Sequence, residues 1–157
     1  MPDPSPARRL ESFLSRYSPD VARQAKAALR RLRPLFPGGF ELVYDNYNAL
    51  AVGFSPTGRA SDVVVSIAVY PRWVSLFFMR GAALPDPERV LRGGGRQVRH
   101  VVLEPVGILE SPAIQRLLRE AITRSPKSLD KARKRTLVIK SVSTKQRPRR
   151  PAAAAAR

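Results

Sequence analysis

Hydrophobic positions recur with helical spacing in three segments of the chain. Apolar residues follow one another at intervals of three and four, as Leu10, Phe13, Leu14 and Tyr17 do in the first segment. Serine caps the exposed amides of a helix start, and proline fits the first helical position because its missing N–H needs no partner there. The pattern predicts three amphipathic helices that each bury one face. Their starts are Ser5-Pro6, Ser18-Pro19 and Ser111-Pro112.

Between the second and third helices the apolar pattern changes to that of strands. Five segments are rich in β-branched and aromatic residues: 40–44, 49–54, 63–70, 74–79 and 98–103. Short polar turns connect the first four, which favours antiparallel neighbours. The order of elements predicts an α+β fold, a two-layer sandwich whose antiparallel five-stranded sheet carries the N- and C-terminal helices on one face.

Charge divides the chain into two parts. The 157 residues carry a formal net charge of +17. Residues 1–125 hold 18 Lys and Arg against 11 Asp and Glu, whereas residues 126–157 hold 11 against one, Asp130. Dense like charge with little apolar content opposes ordering. The composition therefore predicts a folded domain over residues 1–125 and a basic, disordered tail over residues 126–157.

Composition also excludes several classes of protein. There is no cysteine, so disulfides, thiolate metal sites and cysteine nucleophiles are excluded. No stretch approaches the roughly 20 apolar residues of a membrane span. Arg8 and Arg9 are not followed by the apolar run of a secretory signal. We therefore expect a cytoplasmic protein without a membrane span.

One segment resembles a known family. After a strand come, in order, Gly81, Leu84, Asp86-Pro87, Leu91, Gly93, Gly95 and Arg99, followed by a second strand. This arrangement resembles the YdhG-like family of domains of unknown function, and the likeness extends over residues 10–124. The resemblance implies a fold related to that of frataxin, and some relatives are described as iron chaperones.

The residues themselves do not favour iron binding. Hard cations are held by clustered carboxylates, and a frataxin-like protein would be expected to present them on its first helix. The first two helices instead carry eight basic residues against Glu11 and Asp20. The close pair Asp86 and Glu88 is typical of a helix start. We predict no metal site and no cofactor, with iron carriage as an alternative.

Catalytic chemistry is equally weakly indicated. His100 is the only histidine, and strand alternation places it with Val98 and Val102 as a packed side chain. It could serve as a general base only with a partner, and the sequence shows none. Gly93-Gly94-Gly95 lacks the Gly-Lys-Ser/Thr of a phosphate-binding P-loop. No catalytic residue is assigned, and the sequence favours a protein that is not an enzyme.

A polar, aromatic segment at residues 44–48 offers a candidate ligand pocket. Asp and Asn in this segment are typical of a hairpin turn. Alternatively, the segment lines a polar pocket at the sheet end, because aromatic walls with a few polar groups are characteristic of small-ligand sites. The candidate pocket residues are Tyr44, Asp45, Tyr47, Asn48, Tyr70, Trp73 and Arg99.

The basic tail offers a candidate nucleic-acid contact. Short basic clusters bind phosphates without reading sequence, by releasing counterions; the alternative is a tail that only aids solubility. The candidate contact residues are Lys131, Arg133, Lys134, Arg135, Lys140, Lys145, Arg147, Arg149 and Arg150. The leading interpretation is a non-enzymatic YdhG-like protein that contacts nucleic acid or another polyanion through this tail. A small-molecule-binding domain and a frataxin-like iron chaperone are the alternatives.

Overall fold

A computed structural model describes residues 3–152 and confirms the α+β class. The three α-helices are α1 (Pro6–Ser15), α2 (Pro19–Leu32) and α3 (Pro112–Thr123). The strands are β1 (Phe40–Asp45), β2 (Leu50–Ser55), β3 (Val65–Val69), β4 (Val74–Phe78), β5 (Arg99–Val102) and β6 (Thr136–Val142). In the described part of the chain, no helix is long and apolar enough to cross a membrane.

The helix starts are those predicted from the Ser-Pro pairs. The hydroxyls of Ser5, Ser18 and Ser111 each accept a hydrogen bond from the backbone amide three residues later. Each following proline occupies the first helical turn, where its missing N–H has no cost. The helix boundaries thus follow from local chemistry alone.

The sheet differs from the predicted five antiparallel strands. It has six strands in the order β5-β4-β3-β2-β1-β6. Strands β1 to β5 form the expected antiparallel meander, but β6 lies outside β1 and pairs with it in parallel. The sheet is therefore mixed, and its sixth strand comes from the segment that composition assigned to a disordered tail.

The core lies between the helices and one face of the sheet. Alternate strand residues such as Val52, Ile67 and Leu76 are fully buried there, together with Leu29 and Leu118 from the helices. Leu137 and Ile139 of β6 pack against the same cluster. The amphipathic helices therefore bury their apolar stripes on one face only, and the opposite face of the sheet carries no helix.

Arg135, which directly precedes β6, forms an ion pair with the buried carboxylate of Glu41, and this pair holds β6 to the domain. Glu41 of β1 is 1 % exposed and accepts hydrogen bonds from Arg33 and from Arg135, whose Nε lies 3.2 Å away. Arg135 also donates to the carbonyls of Arg33 and Phe36. The hydrogen bond with Glu41 raises the pKa of Arg33 above its ordinary value. By composition, Arg135 belongs to a run of basic residues that repel one another. In the fold it is paired with the Glu41 carboxylate.

The connection into β6 also packs closely on the domain. Gly38 approaches the backbone of residue 130 so closely that a Cβ atom would lie 2.0 Å from the Asp130 carbonyl oxygen. The Thr136 amide donates to the Gly39 carbonyl at 3.0 Å. Residues 126–135 therefore cross the sheet end in contact with it, which differs from the predicted boundary at residue 125.

Residues 143–150, here called the C-terminal strap, bind the turn after β1. The amides of Ser143 and Arg147 donate to the carbonyls of Asp45 and Tyr47 at 2.8 and 2.9 Å. The guanidinium of Arg149, 2 % exposed, lies 2.9 Å from the carboxylate of Asp45, which is 1 % exposed. Arg16 and Gln146 also donate to that carboxylate. A buried charge is tolerated only when it is paired and hydrogen-bonded, and the strap supplies most of these bonds.

Candidate functional site

The open face of the sheet carries a row of small side chains at its centre. Ala51 pairs with Ala68, and Gly53 pairs with Ser66, so these four residues lie side by side on neighbouring strands. They form the floor of an open cavity of about 440 Å³. Because their side chains are short, the larger residues around them stand above the floor as walls. The cavity is therefore a product of residue size within the sheet.

Aromatic and amide side chains form the wall at one end of the sheet. Tyr44 is the second-last residue of β1, Tyr47 and Asn48 come from the turn that follows, and Tyr70 directly follows β3. Tyr47 is 46 % exposed. The C-terminal strap fixes this turn through the backbone bonds of residues 45 and 47. The strap thus shapes the cavity wall without lining it.

The phenol groups of this wall are poorly solvated. The Tyr44 hydroxyl is buried and has no hydrogen-bond partner among the described residues. Burial raises the pKa of both Tyr44 and Tyr70 above the ordinary value of 10.0. Both phenols therefore stay protonated at neutral pH, and the Tyr44 hydroxyl has a proton that no described residue accepts.

The connection from β2 to β3 builds the opposite wall. Ala60 and Val63 line the cavity there, with Phe77 and Met79 beyond them. A Cβ atom on Gly53 would lie 2.9 Å from the Val63 side chain, so glycine is what allows this close packing.

The same connection contains a hydrogen-bonded carboxylate. The Thr57 hydroxyl donates to the Asp62 carboxylate at 2.7 Å, and Lys127 also donates to it. The bond from Thr57, and to a smaller extent the bond from Lys127, lowers the pKa of the Asp62 carboxyl.

Four of the seven predicted pocket residues line this cavity, and three do not. Asp45 points to the opposite side and is enclosed by Arg16, Gln146 and Arg149. Trp73 lies outside the cavity, where its ring stacks on that of Tyr70 with centroids 4.9 Å apart. Arg99 lies at the other end of the sheet, because it pairs with Phe78 at the end of β4.

The floor residues are what the sequence reasoning missed. Ala51 and Gly53, and likewise Ser66 and Ala68, are small residues at alternate positions of predicted strands. This period-two pattern places small side chains on one face, a signal that was present in the sequence. The lining residues comprise no acidic or basic side chain, so the cavity suits an uncharged molecule.

The candidate nucleic-acid residues divide into those with an internal partner and those without one. Arg135 and Arg149 form ion pairs with Glu41 and Asp45, as described above. Lys140 donates to the Gly58 carbonyl, Arg150 donates to the Arg16 carbonyl, and Arg133 lies 3.8 Å from Asp130. Exposed side chains without an internal partner among the described residues are Lys131, Lys134, Lys145 and Arg147.

The acidic residues and the histidine considered in the sequence analysis have structural contacts in residues 3–152. No group of three or more His, Asp or Glu side chains lies close enough there to hold a metal ion. The Asp86 carboxylate accepts from the amides of Val90 and Leu91, and Glu88 pairs with Arg116. His100 stacks on Phe77 with ring centroids 5.2 Å apart. These groups have structural contacts that account for them.

Comparison with known proteins returned no relative. No family model matches the chain, and no curated protein or solved structure matches it.

Proposed function

We propose that this protein binds a small, uncharged molecule with a flat apolar body on the open face of its sheet. The observation that carries the proposal is that Tyr44, which lines a cavity of about 440 Å³, has a buried hydroxyl without a hydrogen-bond partner in residues 3–152. A buried polar group without a partner is costly and rare in folded proteins. A ligand that accepts its hydrogen bond would remove that cost.

The lining chemistry supports this class of ligand. A cavity of this volume falls within the range of small-molecule sites, which combine apolar walls with a few polar groups. An ionic ligand would lose its hydration without gaining a charged partner. Tyr44 and Tyr70 offer aromatic faces and hydroxyls, and Asn48 offers an amide at the rim. The ligand is expected to stack on the tyrosines and to accept a hydrogen bond from Tyr44.

The Tyr44→Phe variant tests this proposal against a matched control. Removing an unpartnered hydroxyl should leave the free energy of unfolding unchanged or raise it, and should weaken ligand binding by about tenfold. Tyr17→Phe is the control, because the Tyr17 hydroxyl donates to the Val69 carbonyl at 2.7 Å and accepts from the Leu50 amide. That control should lose about 1–3 kcal/mol of stability without losing affinity.

Two measurements read out the result. Native mass spectrometry of freshly purified protein detects a retained small molecule, and fluorescence titration with naphthol, a flat neutral aromatic alcohol, measures affinity. Tyr44→Phe should reduce both signals while Tyr17→Phe retains them. Equal binding by wild type and Tyr44→Phe, or no retained molecule and no naphthol binding, would overturn the proposal.

Charge supports a second function, contact with nucleic acid or another polyanion through the C-terminal segment. The supporting observation is that Lys134, Lys145 and Arg147 are exposed and have no acidic partner among the described residues. Lys134 lies just before β6, and the other two lie in the strap that follows it. Phosphates release counterions when such side chains approach. The buried pairs of Arg135 and Arg149 remove them from this role.

Neutralising three of the exposed bases tests this second function. The variant Lys134→Gln, Lys145→Gln, Arg147→Gln should reduce the log–log salt slope of duplex DNA binding by about two to three, at about 0.9 for each phosphate contact. Its unfolding curve should match that of the wild type, because none of the three side chains has an internal partner in residues 3–152. Fluorescence anisotropy over a salt series measures the slope, and an unchanged slope would contradict the prediction.

Kinship with the YdhG-like family remains our proposal from the motif residues alone. Its support is the run from Gly81 to Arg99, in which Gly81 packs against Arg99 with space only for a hydrogen. Iron carriage, which some members of that family are described as performing, has less support here than the two functions above. A cytoplasmic location is likewise proposed from composition.

A further inference from the structure

The connection between β4 and β5 concentrates arginine on an anchored loop. The loop covers residues 79–98, and its ends are joined by a hydrogen bond from the Ala82 amide to the Gln97 carbonyl at 2.8 Å. The Asp86 carboxylate accepts from two amides within it. Arg92 exchanges both backbone hydrogen bonds with His100 of β5. The loop is therefore held to the sheet edge at several points.

The four arginines of this loop have no internal partner for their charge. Arg99, the first residue of β5, donates to the carbonyls of Gly95 and Val98. The side chains of the four loop arginines are exposed and make no hydrogen bond or ion pair within residues 3–152. These four are Arg80, Arg89, Arg92 and Arg96. The two acids of the loop are already occupied, Asp86 by amides and Glu88 by Arg116.

Two of these arginines share one depression. Arg80 and Arg96 line a cavity of about 380 Å³ together with Gln97 and two alanines. No carboxylate lines it. Two guanidinium groups that share a depression without an acid repel each other, and an anion between them would remove that repulsion. The Gln97 amide adds a third hydrogen-bond donor.

The adjacent glycines leave backbone donors available. Gly94 and Gly95 have no atom within 4 Å of the position of a Cβ, so their backbone is open to solvent. Gly93 has a φ of +117°, which only glycine adopts without strain. No acceptor within residues 3–152 bonds the amides of these three residues. Successive free amides beside basic side chains are a common arrangement for binding anions.

We propose that this depression, the arginine-loop site, binds adjacent phosphate groups. Guanidinium groups donate to phosphate oxygens in a bidentate manner, which lysines cannot do. The site lies at the opposite end of the sheet from Tyr70, because Arg80 follows the far end of β4. It shares no lining residue with the ligand cavity, although Met79 of that cavity directly precedes Arg80, and none of the C-terminal bases lines it. The phosphates come from a polynucleotide backbone or from a free polyphosphate chain.

The test uses full-length protein and two probes. The first is a fluorescein-labelled thymidine dodecamer, measured by anisotropy over a salt series, and the second is sodium tripolyphosphate, measured by calorimetry. The variant is Arg80→Gln with Arg96→Gln. The control is Arg8→Gln with Arg72→Gln, which removes the same charge from exposed, unpaired arginines elsewhere. All four side chains lack internal partners, so both variants should fold.

The Arg80→Gln, Arg96→Gln variant should bind at least one probe about tenfold more weakly or worse. If the dodecamer is the affected probe, its salt slope should also fall by about 1.4, at about 0.7 for each contact on a single strand. Loss of dodecamer binding alone assigns a nucleic-acid backbone, and loss of tripolyphosphate binding assigns a free polyphosphate. Unchanged binding of both probes, or an equal loss in the control, would overturn the proposal.

Discussion

A chain that ends at Arg124 is expected to lose its cooperative unfolding transition. The truncation removes β6 and the strap, and with them Arg135 and Arg149. Glu41 and Asp45 would each keep one arginine partner but lose another. A hydrogen bond to a charged group contributes about 1.5–3 kcal/mol, and the truncation also leaves the β1 edge without its outer strand. These losses together approach the whole stability of a typical domain, about 5–15 kcal/mol.

Thermal and urea unfolding followed by circular dichroism measure this effect. The control is a chain that ends at Arg150, which retains every contact described for β6 and the strap. We expect the control to unfold like the full-length protein. A chain ending at Arg124 with an unchanged melting temperature would show that the two carboxylates do not need their C-terminal partners.

Alanine at Asp45 and alanine at Asn48 should differ sharply in stability, although the two residues lie in the same turn. Asp45→Ala leaves the Arg149 guanidinium buried without its carboxylate, and also removes the acceptor of Arg16 and Gln146. The expected cost is about 3–5 kcal/mol. Asn48 is exposed at the cavity rim and makes no side-chain hydrogen bond within residues 3–152, so Asn48→Ala should change stability by less than about 0.5 kcal/mol.

Urea unfolding of the two variants measures the difference in their free energies of unfolding. A separate naphthol titration of Asn48→Ala shows whether the Asn48 amide at the cavity rim contributes to binding. Similar stabilities for the two variants would mean that the Asp45 network is unimportant. A large loss in Asn48→Ala would indicate that its amide is needed for the turn.

The parts of the fold that sequence predicted are those set by neighbours along the chain. A serine that accepts from the amide three residues later determines a helix start without reference to the rest of the molecule. Segments rich in β-branched and aromatic residues likewise predicted the five meander strands, the first four of which are joined by short connections. Strand β6 has its partner about a hundred residues earlier, so no local pattern identified it.

Charge was harder to interpret than hydrophobicity. Arg135 and Arg149 occur in a run of basic residues, and such a run is usually solvated. Their buried partners, Glu41 and Asp45, are distant in sequence and looked like ordinary strand and turn residues. Of the candidate pocket residues, Tyr44 and Tyr70 lie at the same end of the sheet and line the same cavity. Asp45 was placed on the wrong side because one residue along a strand reverses the direction of its side chain.

The parallel pairing of β1 with β6 has a consequence for synthesis. Strand β1 leaves the ribosome first among the strands, and its outer neighbour leaves last. At roughly 5–20 residues per second, about a hundred residues of translation separate them by about 5–20 s. During that interval the β1 edge is open to pairing with other nascent chains. Codon usage and chaperone access over this stretch should therefore govern how much of the protein escapes aggregation in a cell.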